Sequence, residues 1–245
     1  YGVSREACLE AFDAGVNYFF WGSIRTPGMA LAIRELAPGH REELCVVLQV
    51  YARRPSSVRR SIRKGLETLG LESVDVLLLG WHQTSPAPAL LQAVEEERRK
   101  GTFRHLAVSS HNRSLLQELG ARGPYDILHL RYNAAYVGAE EDVLPSLPPE
   151  DGPGVVSFTC TCWGRLLDPR RMPAGYSALT AADCYRFVLS NPNVHVAIAG
   201  PSTDEELRHA VEALRAGPLD EDEMARVRAI GAHVHELRSP ANWFR

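Results

Sequence analysis

The chain has 245 residues, of which 45% are hydrophobic and 23% charged, as in ordinary globular proteins. This composition excludes a disordered or collagen-like chain, and no stretch approaches the roughly 18 uninterrupted apolar residues of a membrane-spanning helix. The net charge of −3 disfavours a general nucleic-acid binder. Because five cysteines do not indicate a disulfide framework, we expect reduced thiols and a cytoplasmic protein.

Predicted helices alternate with short apolar strands along the chain. Ser4 is predicted to cap the first helix, and Pro38-Gly39 to end the second. The helices are predicted at 5–14, 29–36, 58–69, 89–100, 114–119, 181–189, 204–216 and 220–235. The strands are predicted at 16–21, 44–51, 74–79, 105–109, 126–130, 155–159 and 194–199. Strands that alternate with helices indicate parallel pairing through right-handed crossovers.

Two α/β architectures have this alternation, a doubly wound sheet and a (β/α)8 TIM barrel. A doubly wound dinucleotide-binding sheet carries G-x-G-x-x-G after an early strand, and the sequence lacks this motif. We therefore predict a (β/α)8 barrel that forms one domain over residues 1–245. Since seven strands are visible, the eighth strand is expected before Tyr1 or is missing altogether.

Functional side chains of such a barrel lie at the carboxyl ends of the strands. The predicted ends are Phe20-Trp21-Gly22-Ser23, Gln49-Val50-Tyr51, Gly80-Trp81-His82-Gln83, Ser109-Ser110-His111-Asn112, Arg131-Tyr132-Asn133, Thr161-Cys162-Trp163-Gly164-Arg165 and Gly200-Pro201-Ser202-Thr203. Their aromatic and polar side chains favour a small-molecule pocket, although strand ends that merely meet water are also polar. The candidate pocket residues are Trp21, Trp81, His111 and Asn133. The two tryptophans end neighbouring strands and would stack a planar ligand or plug the mouth.

Six segments, in this order along nearly the whole chain, resemble the aldo-keto reductase superfamily. They are Asp13–Phe19, Arg104–Asn112 (R-H-L-A-V-S-S-H-N), Tyr132-Asn133, Trp163–Leu167, Ala199-Gly200 and Ser202–Leu207. The resemblance implies a barrel that reduces carbonyl compounds with NADPH. It also implies a catalytic Asp, Tyr, Lys and His, of which Tyr gives a proton to the carbonyl oxygen.

The sequence departs from the family at all four catalytic positions. The Asp position is Phe20, the Tyr position Arg25, the Lys position Leu48 or Gln49, and the His position Gly80. The family's mechanism therefore cannot be carried over to this chain.

A substitute set lies two residues further along two strands, on the same face if those strands continue. Our hypothesis makes Tyr51 the acid beside His82, with Arg131 holding an anion. The alternative is that Tyr51 and His82 are ordinary residues of the rim.

The resemblance also implies a dinucleotide site, for NADP or NAD. Ser109 stands where the family's Ser holds the nicotinamide carboxamide, while Ser110 and His129 replace its Asn and Gln. The other candidates are Trp163, Gly164, Arg165 and Leu166 after the sixth strand, and Gly200, Ser202, Thr203 and Glu206 at a helix start. N–H groups at that helix start suit a phosphate, and Arg165 could reach a pyrophosphate. Glu206 would repel a 2′-phosphate, so NADH should be tolerated better than usual; acidic residues there also stabilise the helix by themselves.

Three further patterns have ordinary interpretations. Cys160-x-Cys162 has no second pair, so we expect buried or rim thiols and no metal site. His233 and His235, two apart on the last helix, face different sides and are predicted at the surface. Cations cluster between residues 53 and 64, as on a nucleic-acid footprint or a solvated face, and the charge balance favours the solvated face. The first two, at positions 53 and 54, follow a strand end and could attract an anionic substrate over the rim.

Two functions remain open from the sequence. The first is an NAD(P)H-dependent oxidoreductase that reduces a small carbonyl compound with a non-standard proton donor. The second is a catalytically degenerate barrel that binds a ligand or performs a non-redox step. The lost catalytic residues favour the second, whereas the partly retained Ser109 and Gly200 segments favour the first, which is our family-level expectation. The expected partner is a small molecule, with neither nucleic acid nor membrane, and the oligomeric state is not predictable.

Overall fold

The computed structural model describes residues 2–22 and 25–237, in which strands and helices alternate. The strands are β1 (Tyr18–Trp21), β2 (Cys45–Val50), β3 (Val74–Leu79), β4 (Phe103–Ser110), β5 (Ile127–Arg131), β6 (Gly154–Phe158) and β7 (Val196–Ala197). The helices are α1 (Arg5–Asp13), α2 (Pro27–His40), α3 (Pro55–Leu69), α4 (Pro88–Arg99), α5 (Arg113–Arg122), α6 (Ala181–Leu189), α7 (Asp204–Ala216) and α8 (Glu221–Glu236). None of the described helices is both long and apolar enough to cross a membrane.

The seven strands form one parallel sheet in the sequential order β1 to β7. A doubly wound sheet reverses its strand order at a switch point, so the sequential order confirms the predicted barrel architecture. In the described part of the chain, β1 pairs with β2 and β7 with β6, which leaves the barrel nearly closed. Helix α1 packs against both α2 and α7, so the ring of helices is continuous at this point.

Strand side chains divide between a core inside the barrel and a larger core between the strands and the helices. The inner core contains Val47, Val76, Leu78 and Ala107. The odd-numbered neighbours on β3, such as Leu77 and Leu79, belong to the outer core instead. Because β3 is buried on both faces at all six positions, its sequence is apolar except for Asp75, which pairs with Arg41, and the apolar pattern predicted the strand to the residue.

Most elements begin or end one to four residues away from the predicted bounds, and α2 and β7 are two examples. Helix α2 continues through Pro38 to His40, so the expectation that Pro38-Gly39 ends it is wrong. Proline fixes φ near the helical value. Because it lacks an N–H, it leaves only one carbonyl oxygen near the end of the helix without its helical hydrogen bond. Strand β7 contains only Val196 and Ala197, shorter than the predicted 194–199, because β6 is the one described strand with which it pairs.

Candidate functional site

The carboxyl ends of the strands form the mouth of the barrel, where alternate side chains face inward. Inner-core residues of β4 and β5 pair with each other, so Ser109 and His129, two positions further along, face the same interior. One layer closer to the mouth, Arg131 of β5 is the register partner of Phe158 of β6. By the same alternation Gln49 faces inward from β2, two residues beyond an inner-core valine. These side chains line the inner wall below the rim.

The positions of the family's four catalytic residues carry a different set of groups. Phe20 packs against the inner core, and Arg25 is exposed in the loop before α2. Leu48 lies in the outer core, so of the two residues predicted for the Lys position only Gln49 faces the interior. A Cβ atom at Gly80 would lie 2.7 Å from Nε2 of Gln49. The Gln49 amide therefore fills the space that a side chain at the His position needs.

Tyr51 and His82, the substitute acid and its predicted neighbour, have different partners. The Tyr51 hydroxyl donates to Oε1 of Gln49 at 2.9 Å, and its ring is 56% exposed at the mouth. His82 is 4% exposed, and its Nε2 faces Nη1 of Arg53 at 3.3 Å. Burial, together with the Arg53 charge, lowers the pKa of His82 to about 4. The imidazole is thus neutral at neutral pH and is buried beside a guanidinium.

Arg53 joins the ends of β2 and β3 through backbone carbonyls. Its guanidinium donates to the carbonyl oxygens of Gly80 at 3.0 Å and Trp81 at 2.8 Å. It also donates to those of Tyr51 and Ala52, each at 3.2 Å. These bonds hold Trp81 in the left-handed region at φ 56°, which is uncommon for a residue other than glycine. The guanidinium therefore fixes a strained turn at the rim.

The three polar residues predicted to hold the nicotinamide lie in three different settings. The Ser109 hydroxyl faces the interior and accepts the backbone N–H of Trp81 at 2.8 Å. Ser110 is buried in the opposite direction and accepts the backbone N–H two residues further along the chain. His129 lies fully buried inside the barrel, with Nε2 3.0 Å from the hydroxyl of Tyr18. Burial lowers the pKa of His129 to about 3, so its ring is neutral.

Aromatic side chains follow one another around one side of the mouth. This aromatic arc consists of Trp81, His111, Phe158, Tyr136 and Trp163, with Arg131 beside it. The His111 ring meets Phe158 edge-on at 5.1 Å and Trp81 at 6.4 Å between centroids. Tyr136 lies 6.3 Å from Trp163, and the Arg131 guanidinium lies 4.1 Å from the Tyr136 ring. Trp81 and Trp163 are 60% and 56% exposed, so the arc presents aromatic faces to solvent.

His111 supplies a polar atom within the arc. Its Nδ1 is buried and has no hydrogen-bond partner among the described residues. Burial and the nearby Arg131 charge lower its pKa, so the ring is neutral at neutral pH. Sequence reasoning missed Phe158 and Tyr136. A count of two-residue steps along β6 would have found Phe158, whereas Tyr136 lies outside any periodic segment and gave no signal.

The remaining pocket candidates have structural roles. Asn133 is fully buried, and its amide donates to the carbonyl of Thr159 at 2.8 Å, joining the ends of β5 and β6. Trp21 is 5% exposed and lies in the outer core, away from the aromatic arc. The prediction that Trp21 and Trp81 end neighbouring strands is wrong, because β2 lies between β1 and β3. Ser23, in the same predicted strand end, lies outside the described residues.

The loop after β6 makes a left-handed turn. Cys162, Trp163 and Gly164 have φ of 53°, 54° and 77° in succession. Leu166 is fully buried in the outer core, whereas Arg165 is half-buried.

Burial raises the pKa of the Cys160 thiol to about 11, so it stays protonated. The described residues include no group of three or more His, Cys, Asp or Glu side chains that could hold a metal ion.

The first turn of α7 is occupied by its own carboxylates. Thr203 caps the helix by accepting the N–H of Glu206 at 3.1 Å. Oε2 of Glu206 turns back and accepts the N–H of Ser202 at 2.6 Å. Asp204 accepts both the N–H and the hydroxyl of Ser4 at 2.7 Å. A dinucleotide phosphate at this helix start would meet two carboxylates, of which Glu206 already binds the N–H of Ser202, so the residues present do not fit that group.

The last helix approaches the mouth through one of its predicted surface histidines. Nδ1 of His235 lies 2.6 Å from the carbonyl oxygen of Ala135, and its ring meets Tyr136 at 5.5 Å. His235 is exposed, yet it also fixes the loop that carries Tyr136. Helix α8 therefore supports the aromatic arc from outside the barrel.

Comparisons with known proteins agree on one family. The model described as "Aldo/keto reductase family" matches residues 4–166, more than half of the chain. The holo form of aldo-keto reductase AKR11C1 from Bacillus halodurans has a similar structure, with a TM-score of 0.74, 18% identity, and coverage of 92% of this chain and 85% of that chain. Its apo form has a TM-score of 0.72 at the same identity and coverage. At this identity the structural likeness shows the fold alone. No curated protein matches the chain significantly.

Proposed function

Because this chain belongs to the aldo/keto reductase family of oxidoreductases, we propose that it acts at the mouth of its barrel on a small planar molecule with a negative charge. The observation that carries this proposal is Arg131 beside the unpartnered Nδ1 of His111, within the aromatic arc. The arc residues give planar faces for stacking, and Arg131 gives the charge. A planar anion is the chemical class that uses both features.

The site offers a ligand one cation, Arg131, and one neutral hydrogen-bonding group, the His111 ring. A guanidinium binds a carboxylate through two parallel N–H bonds, which also fixes the plane of the ligand. The neutral His111 ring can complete its unmet hydrogen bond with a second polar atom of that ligand. Stacking against Trp81 or Phe158 then excludes water from the charged contact, which strengthens it.

Binding of aromatic carboxylates tests this proposal directly. We expect 2-naphthoate to quench tryptophan fluorescence saturably, and 2-naphthamide, its neutral match, to bind about tenfold or more weakly. Arg131→Met should remove this preference for the anion. Arg170→Met is the matched control, because Arg170 is an exposed arginine whose partner is Asp168. Equal binding of the two naphthyl compounds, or unchanged binding by Arg131→Met, would contradict the proposal.

We also propose that the family's hydride transfer to a carbonyl is not the activity of this chain. The support is the set Phe20, Gln49 and Gly80 at the catalytic positions, together with Glu206 and Asp204 at the start of α7. Calorimetric titration of the full chain with NADPH and NADH should show no saturation below millimolar cofactor. Micromolar binding of either would overturn this proposal.

One observation favours the alternative that carbonyl reduction survives with a different proton donor. The Tyr51 hydroxyl lies at the mouth, where its bond to Gln49 orients it. If NADH or NADPH supported reduction of an aromatic aldehyde, Tyr51→Phe should abolish turnover, whereas His82→Gln should leave it, because His82 faces Arg53. Turnover that survives in Tyr51→Phe would exclude this donor.

We also propose a cytoplasmic location for this protein. All five cysteines lie within the described residues, and each is a free thiol. Free thiols are typical of a reducing compartment.

A further inference from the structure

A second cavity lies beside the mouth, between the ends of β1 and β2 and one face of α3. It has a volume of about 570 Å³. Its wall carries three cations, Arg53, Arg54 and Lys64, and the hydroxyls of Ser57 and Ser61. We call it the cationic groove. It shares no residue with the aromatic arc, so ligand binding there is independent of the proposed function.

The charge of the cationic groove is uncompensated within its wall. The described lining contains no Asp or Glu. The neighbouring groove between α3 and α4 differs, because glutamates line it together with its cations. There, Arg59 pairs with Glu96 at 2.5 Å and Lys100 with Glu97 at 2.6 Å. Around the cationic groove, Lys64 of α3 and the two arginines just before this helix give three positive charges with no acid in the described lining, and such a cavity attracts anions.

One of these charges is already fixed in place. Arg53 donates to four backbone carbonyls, as described above, so its guanidinium does not have to be ordered when a ligand arrives. Helix α3 adds to the field, because it begins at Pro55 beside the groove and its amino end carries partial positive charge. Ser57 and Ser61, one turn apart on α3, bring hydroxyls to the same wall.

We propose that the cationic groove binds the phosphate group of a small organic phosphate. A phosphate monoester carries about two negative charges at neutral pH, which suits three cations better than the single charge of a carboxylate does. The volume lies in the range of about 300–1,000 Å³ that is typical of small-molecule sites, so the groove has room for the organic part as well. Arg54 and Lys64 would hold the phosphate, with Arg53 supplying a fixed charge at the wall.

Calorimetric titration with glycerol 3-phosphate tests the proposal, because this saturated compound offers no planar ring to the aromatic arc. The comparison ligands are inorganic phosphate and glycerol, at constant ionic strength. We expect saturable binding of glycerol 3-phosphate, weaker binding of inorganic phosphate and none of glycerol. Arg54→Gln and Lys64→Gln should each weaken binding about tenfold or more.

Arg63→Gln is the matched control, because Arg63 is an exposed cation of α3 that lines the other groove. Its binding should equal that of the unaltered chain, as should that of Arg131→Met at the mouth. Absence of saturable binding, or equal weakening by Arg63→Gln, would overturn the site. Equal affinity for inorganic phosphate and glycerol 3-phosphate would overturn the assignment to an organic ligand. Loss of binding in Arg131→Met would place the phosphate at the mouth instead.

Discussion

The imidazole of His82 couples the rim of the barrel to pH. Its pKa falls from the ordinary 6.5 to about 4, first through burial and then through the charge of Arg53. A histidine with a lowered pKa stabilises the fold fully above pH 6.5 and loses this contribution as pH falls toward its folded value. We expect His82→Gln to remove up to about 3 kcal/mol of this acid dependence of unfolding free energy. Urea unfolding at a series of pH values between neutral and pH 4 measures it.

His209→Gln is the control for this measurement, because His209 is exposed on α7 and the substitution removes no buried ring. Its unfolding free energy should follow that of the unaltered chain at every pH. If His82→Gln also followed that curve, then the buried ring would carry no linkage.

At the scale of a secondary-structure element, α8 packs very closely against the barrel at one glycine. A Cβ atom at Gly231 would lie 2.1 Å from the carbonyl oxygen of Ala134. Because that carbonyl belongs to the backbone, a larger side chain at position 231 would force the helix itself to move. We expect Gly231→Ala to lower the unfolding free energy by at least about 2 kcal/mol. It should also weaken naphthoate binding, because α8 holds the Tyr136 loop through His235.

Gly39→Ala gives the matching change in another helix. Gly39 is exposed in the last turn of α2, and no heavy atom lies within 4 Å of its built Cβ. Alanine there should stabilise the chain by about 0.5–1 kcal/mol, because it only removes the backbone freedom of glycine. Equal effects of the two substitutions on denaturant unfolding would mean that helix propensity, and not the Ala134 contact, determines the result at Gly231.

The strands show how much of the secondary structure could be predicted from the sequence. Apolar runs and turn residues placed the strands in the right order, and β3 was predicted to the residue. The face of each strand could not be predicted, because both faces of a barrel strand are buried and hydrophobicity carries no period-two signal. Phe20 and Trp21 are adjacent aromatics, yet Phe20 faces the inner core and Trp21 the outer core.

The same limit explains what could be predicted of the site. That position 80 has no side chain was evident from the sequence, whereas which of Leu48 and Gln49 faces the interior depends on the inward and outward faces of β2. The carboxylate bonds at α7 could not be predicted either, since Glu206 reaches a backbone N–H four residues before it. A first-turn acid is compatible with both an open and a self-occupied helix start.

For the whole molecule, one contact between residues 200 positions apart joins the two ends of the helical ring. The Ser4 hydroxyl caps α1 by accepting the N–H of Ala7 and also donates to Asp204 at the start of α7. The backbone N–H of Ser4 donates to the other oxygen of the same carboxylate. One carboxylate thus holds α1 between α2 and α7, at the two outer strands of the sheet.

Removing this carboxylate should loosen the ring at that seam. We expect Asp204→Ala to lower the thermal unfolding midpoint at neutral pH and to speed proteolytic cleavage near α1, whereas Glu205→Ala, an exposed acid in the same turn, should change neither. The two Ser4 bonds lower the pKa of Asp204 below its ordinary 3.8. The contribution is therefore present above pH 3.8 and lost as pH falls through that lowered value, so the Asp204→Ala difference should vanish in acid. A difference that persisted unchanged there would mean that the charge of Asp204 does not hold the two helices together.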